Sequence, residues 1–524
     1  MRFTAAFASV VLIASAAGAC SGGDEKKPSD PGDRTKAPAP TASASTSASG
    51  LPGLTKEGWF GIGVKLHARV EIKNVERRQD RSVLHFTVTS LDDRPVIPQN
   101  AFGHALGDFR AYRIPLVDPV GRKIYHPLVN ASRDTLGSVQ GRYLPGVVYE
   151  AVVYYPPIPE GVEVVTALTA GTAGEFTGVP VTDDPAPPPA PVAPQEAPAG
   201  TVASWPLRDD PDARPVVQNL YDITEGPVEE TTSSGVEQKV GLRTDVLFAF
   251  NSDKLSGKAK AVLDEVAEET KAKADPAKPP IRVIGHTDSK GTDPFNRKLS
   301  LRRAQTVERE LRARLGGAYK YVSEGKGESE PIAQEGGPTD AAARSRNRRV
   351  EVSYQIKQET PGTTVTTTAS AQTGGIGRPA PFNADDGQIV ASRFARFREQ
   401  KRRIDVHPFY RDGAYLVAVF DIQSLGAGGL PAAADYTHID YLGGEFTAFS
   451  VIDPRTQDVY RAVRMGPDQR GPDEYVDPGW ATFRQAEGEP NRGFFYVPAP
   501  PDDVKVVTFD GGPFGKVLEV PIRD

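Results

Sequence analysis

The sequence predicts a multidomain chain in which a central α/β block sits between two related all-β sandwiches. Three observations predict this. Strand-like stretches before residue 184 recur in the same order after residue 387. A strand–loop–helix signature with a helical apolar stripe lies between them. Segments rich in proline, glycine and threonine separate the three blocks.

The N-terminus reads as an address. Arg2 provides a short positive region, and residues 3–17 are apolar and small. That run is short of the ~20 residues a spanning helix needs and suits a secretory signal peptide over residues 1–19. It ends Ala17-Gly18-Ala19-Cys20, and Cys20 is the single cysteine of the chain, so no intramolecular disulfide forms. Small residues directly before a lone cysteine resemble a bacterial lipobox. The resemblance implies cleavage before Cys20, a diacylglyceryl thioether on its sulfur, and a mature protein anchored by lipid on the extracytoplasmic face of a bacterial membrane. Residues 20–55 are rich in Ser, Ala, Thr, Pro and Gly, too poor in apolar surface to fold, and are expected to be a disordered tether.

The outer blocks, residues 56–183 and 388–524, resemble each other. Residues 83–91 (VLHFTVTSL) align without gaps with 417–425 (VAVFDIQSL). Phe109-Arg110-Ala111-Tyr112 corresponds to Phe446-Thr447-Ala448-Phe449. Val117-Asp118-Pro119 then leads to Tyr125 at the spacing by which Ile452-Asp453-Pro454 leads to Tyr460. Short alternating strands between Gly, Pro and Asp turns predict a β-sandwich in each. Both are similar to the immunoglobulin-like sandwiches of extracytoplasmic lipoproteins, a resemblance of architecture that leaves function open. The proline-dense residues 184–203 are expected to be a semi-rigid spacer and residues 357–387 a flexible linker.

Composition narrows the functional classes. Across 524 residues the net charge is −6, which does not suggest nucleic acid. Residues 239–356 differ, with 23 Lys and Arg against 17 Asp and Glu. The seven histidines show no metal-ligand spacing, and there is no phosphate loop and no nucleophile elbow. No metal, cofactor or catalytic residue is expected, and the chain does not read as an enzyme.

The central block spans 204–356. An entry strand at 221–224 and a returning strand at 240–243 precede the apolar run 246–250, which reads as a central strand. Ser256 is a fair N-cap for a first helix carrying Ala259, Val262, Leu263 and Val266 at helical spacing. Residues 281–284 form a second strand, which exits through Gly285-His286-Thr287-Asp288. A second helix covers about 296–315, with Leu299, Val307, Leu311 and Leu315 on one stripe. Arg303 falls on that apolar stripe, where a guanidinium is costly unless a carboxylate or a ligand meets it. The strand exit and the helix start are adjacent in space, so Asp288 is the expected neighbour. Residues 321–323 read as strand, 339–345 as a short helix, and 350–356 as a half-exposed last strand.

These pieces together resemble the OmpA-like peptidoglycan-binding domain. The match rests on 246–250 (VLFAF), Gly285-His286-Thr287-Asp288-Ser289 with Gly291, Asn296 with Leu299-Ser300 and Arg303-Ala304, Gly325 with Gly327-Glu328, and Asn347-Arg348-Arg349-Val350-Glu351. The resemblance implies a mixed sheet with packed helices that holds the diaminopimelate of the peptide stem without breaking a bond. The free end of that residue is a zwitterion. Asp288 suits its ammonium, and the planar fork of Arg303 suits its carboxylate. Asn296 is expected beside them, with backbone N–H groups after Thr287 completing the shell. Arg348 and Arg349 are further contacts or else structural partners of Glu351 or a helix end.

The expected function is therefore a lipid-anchored cell-envelope protein that tethers membrane to peptidoglycan. The alternative is an interaction scaffold whose sandwiches hold an unknown protein or polymer partner, with the central domain as wall anchor only.

Overall fold

In the central block, Glu229–Ser233 pairs antiparallel with Glu237–Arg243, which pairs antiparallel with the last strand, Arg349–Gln355. That strand lies against Ile281–His286, which runs parallel to Tyr321–Gly327. The parallel pair is joined by the long helix that follows Ile281–His286, the usual crossover for such strands. The computed structural model describes residues 53–523 apart from 62, 103–109, 186–188, 250, 338–339, 358–376, 427–434, 467–473 and 479–487. The signal segment, Cys20, the tether to residue 52, most of the 357–387 linker, Phe109 of the repeat and Phe250 lie outside the described residues.

Among the described residues four α-helices serve this sheet: α1 (Thr244–Leu247), α2 (Ala259–Lys273), α3 (Asp293–Leu315) and α4 (Asp340–Asn347). Leu263, Val266 and Ala267 of α2 and Ala304, Val307 and Leu311 of α3 are buried in one core with Val240, Leu242, Val283, Val350 and Val352 of the strands. Ser256 is not the N-cap, which is Lys258; its Oγ accepts a hydrogen bond from the Ala259 N–H in the turn that leads into the helix. The described part of the run, 246–249, is not a central strand. Thr244–Leu247 is one helical turn, and Phe248 makes only a bridge to Leu255. A short apolar run does not distinguish strand from buried turn, and Asp245 in the first turn favours the helical start. No described helix is long and apolar enough to cross a membrane.

The flanking blocks are built of strands, and their pairings correspond. Ser82–Ser90 lies between Leu66–Arg77 and Val148–Tyr155, as Tyr415–Ser424 lies between Gln400–Val406 and Pro490–Pro498. Leu116–Asp118 pairs with Lys123–Val129 and Val164–Leu168, as Ser450–Ile452 pairs with Val459–Met465 and Val506–Asp510. Asp118 and Asp453, at matching positions, each accept backbone N–H groups of the turn that follows.

The 12-residue strand Arg214–Glu225 joins the three blocks. Its first half pairs with Lys123–Val129, and its second half with Val459–Met465 and Glu229–Ser233. The two equivalent strands of the repeat thus dock on one strand, and all the blocks share a large mixed sheet with few helices. Leu51–Asp524 forms one compact unit. Val117, Ile124 and Leu168 pack with Leu220 and with Val417, Val419, Phe494 and Tyr496 of the last block. Glu175 of the first block is held by Arg492 of the last at 2.6 and 2.7 Å, and Arg492 also grips Asp386. Residues after the proline-dense segment lie on the first block rather than standing off from it: Trp205 stacks on Tyr149 with ring centroids 4.3 Å apart.

Candidate functional site

The site forms where Ile281–His286 ends. This strand is flanked on both sides, and α3 presses on it closely. A Cβ on Gly285 would lie 2.1 Å from the Ser300 carbonyl oxygen, and one on Gly325 2.5 Å from the Leu301 nitrogen. Glycine at both positions lets the Ser300–Ala304 turn of α3 sit directly on the strand ends. That turn also carries Arg303, whose charge Asp288 of the strand-exit loop acts on.

The loop is fixed by hydrogen bonds. Lys290 N–H donates to Asp288 Oδ1 at 3.2 Å. Asn296, 1% exposed, donates from Nδ2 to the Lys290 carbonyl at 3.1 Å and to Glu328 Oε2 at 2.6 Å. Its amide hydrogens are therefore committed to the loop, and Asn296 stands as a support rather than a free contact. Gly291 has φ of 111°, which a side chain would strain. Ser289 donates from N and Oγ to the Glu335 carboxylate, and Asn347 Nδ2 donates to the same group at 2.8 Å. The N–H groups expected to line a ligand carboxylate at Ser289 and Lys290 are thus engaged within the protein.

Asp288 pairs with Arg348, not with Arg303. Arg348 Nη1 donates to Asp288 Oδ2 at 2.7 Å, while its Nε and Nη2 fork onto the Asp245 carboxylate of α1. Arg348 enters from the end of α4, more distant in sequence than α3 but close in space. Arg349 turns to the strand face that carries Glu351. It donates to Glu351 Oε1 at 2.8 Å and to the Asn347 and Glu330 carbonyls, a structural role. His286 is 1% exposed, with Nε2 3.8 Å from Glu351, and burial pushes its pKa down.

Arg303 is 5% exposed. Its Nε donates to the Ser252 carbonyl at 2.9 Å, and its guanidinium lies 5.4 Å from the centre of the Phe248 ring. Among the described residues its two terminal nitrogens have no hydrogen-bond acceptor. Burial pushes its pKa down, against the pull of Asp245 and with the repulsion of Arg348. Thr287 is also buried. Its N–H donates to the Gly327 carbonyl at 2.9 Å, and its hydroxyl has no partner among the described residues.

Among the described residues the arrangement thus offers unpaired donors on Arg303, a carboxylate on Asp288 that acts on its charge, and a free hydroxyl on Thr287. A ligand with one anionic and one cationic group close together complements it. Asp245, Ser252, Phe248 and Glu335 were not singled out from the sequence. Phe248 sits in the run read as strand, and Asp245 directly precedes it.

Comparison with known proteins finds similarity within the central block. The model of the OmpA family matches residues 247–348. Outer membrane protein A of Bordetella avium is 37% identical over 114 residues, 22% of this chain and 56% of that protein. Outer membrane porin F of Pseudomonas aeruginosa is 32% identical over 170 residues, 32% of this chain and 45% of that protein. The chain thus spans about half or less of the length of these curated relatives. Among solved structures, the cell wall anchor of the T6SS from Pseudomonas aeruginosa is 30% identical, with 25% of this chain and 88% of that one covered and a TM-score of 0.22.

Proposed function

From an OmpA family domain at residues 247–348, we propose that this protein binds peptidoglycan non-covalently and holds it through the diaminopimelyl end of the peptide stem. One observation carries the reading. Arg303 is only 5% exposed, yet its two terminal nitrogens, which no described residue accepts from, stay open to an incoming carboxylate. The diaminopimelate carboxylate takes those donors. Its ammonium meets Asp288, whose charge Arg348 holds in place. No bond is made or broken, so the domain acts as a grip.

In this reading Cys20 carries the lipid, residues 20–55 span the distance to the wall, and the flanking immunoglobulin-like blocks sit on the extracytoplasmic side. A weak site suffices, because the membrane anchor raises the local concentration of wall. Co-sedimentation of the protein with diaminopimelate-type sacculi tests the grip. Retention of the parent and loss of the Asp288→Ala, Arg303→Ala double variant supports it; equal retention of both refutes the site. Mass spectrometry of the mature N-terminus tests the anchor, which requires a diacylglyceryl mass on Cys20.

A further inference from the structure

We infer that the third block forms part of the frame of the binding site, and that Arg346 is a positioning residue for it. This rests on the peptidoglycan reading above and deepens it. Three consecutive residues at the end of α4 have different duties. Arg348 holds Asp288 and Asp245. Asn347 accepts the Ile332 and Ala333 N–H groups and donates to Glu335, which in turn holds Ser289 beside Asp288. Arg346 reaches the other way, donating to Asp440 at 2.9 Å and Tyr441 at 2.7 Å of the third block, and to Glu230 at 3.1 Å.

Arg346 cannot move independently. Its side chain is 11% exposed and Asp440 9%, and with Glu230 and Tyr441 they line one side of a cavity of about 680 Å³. Tyr441 further donates to Glu225, which Arg461 of the third block also grips at 3.0 Å. Asp440 makes a second contact with the site's frame, accepting the Gln334 N–H at 2.9 Å, one residue before Glu335. Two short routes thus run from Asp440 to the Asp288 loop: Arg346 to Arg348 along α4, and Gln334 to Glu335 and Ser289. A shift of the 438–441 loop displaces both supports of that loop together. The coupling is reciprocal, so a ligand on Asp288 and Arg303 also stabilises the docked third block.

The test uses the full chain with Asp440→Asn, which removes one charge and leaves the shape, and Tyr441→Phe, which removes one hydroxyl. A soluble diaminopimelate-containing muropeptide is titrated into each by calorimetry, and amide hydrogen exchange is followed with and without it. The expected result is a Kd raised about fivefold or more in Asp440→Asn, within the usual range of coupling between sites, with the thermal transition still cooperative. Added muropeptide is also expected to slow exchange at 438–441 in the parent, a response a purely structural junction would not give. Parent-like affinity in both variants, with no muropeptide effect on 438–441, overturns the coupling while leaving the peptidoglycan reading intact. Failure of the parent itself to bind overturns that reading, and this inference with it.

Discussion

Arg348 donates to Asp288 at 2.7 Å and, with the same guanidinium, forks onto Asp245. One side chain from the end of α4 therefore fixes the loop carboxylate against α1. The acidic half of the site is set by a residue 60 positions away, and the basic half, Arg303, is left with donors to spare.

Arg348→Lys should weaken muropeptide binding about tenfold, because an ammonium is a point charge that cannot serve two carboxylates in a fork. Stability should fall by only about 1 kcal/mol, since the Arg348 side chain is 27% exposed and solvent screens the pair. Calorimetry and urea unfolding measure the two effects separately.

Arg303→Met should separate stability from function. An apolar side chain of similar length removes a desolvated charge that the protein itself does not fully satisfy, so the unfolding free energy should stay the same or rise by up to ~1 kcal/mol. Sacculus binding should be lost. A variant both destabilised and binding-competent would show that Arg303 serves the fold instead.

Gly285→Ala should destabilise the chain by about 1–3 kcal/mol, the usual cost of overpacking a close contact. Its Cβ would meet the Ser300 carbonyl at 2.1 Å, so α3 must withdraw from the strand. Thermal unfolding reads the loss, and binding should weaken in parallel because Arg303 moves with the helix.

Acid should loosen the junction of the central and third blocks. Burial pushes the Glu225 carboxyl up, but Arg461 and Arg346 outweigh it and hold the pKa down at about 2, from an ordinary 4.5. Its stabilisation, roughly 3 kcal/mol by linkage, is present above pH 4.5 and is lost as pH falls toward 2. Hydrogen exchange at 438–441 should accelerate over that window, and Glu225→Gln should flatten the dependence.

Much of the central module was legible in the sequence because its signals are periodic. The apolar stripe of α3 gave both the helix and the anomaly of Arg303, and alternation gave the last strand, which is not half-exposed as expected: it is paired on both sides and Glu351 is buried with its apolar neighbours. Partner choice was not legible. Chain proximity pointed Arg303 to Asp288, whereas Arg348 arrives from α4 through tertiary packing that no local pattern encodes. The short run 246–250 was ambiguous for the same reason: a few buried apolar residues fit a strand or a turn, and only the packing of Leu247 and Phe248 into the shared core decides. The repeat of the outer blocks was visible as aligned strands. Their docking on Arg214–Glu225 depends on edge pairing, which leaves no periodic trace.

The most direct measurement is titration of a soluble diaminopimelate-containing muropeptide into the parent and into the Asp288→Ala, Arg303→Ala double variant, with a lysine-stem muropeptide as control. Saturable binding of the diaminopimelate ligand by the parent alone, with the lysine-stem ligand at least about tenfold weaker, is the predicted result. Equal binding by parent and double variant, or equal affinity for the two stems, would contradict the assignment of this site.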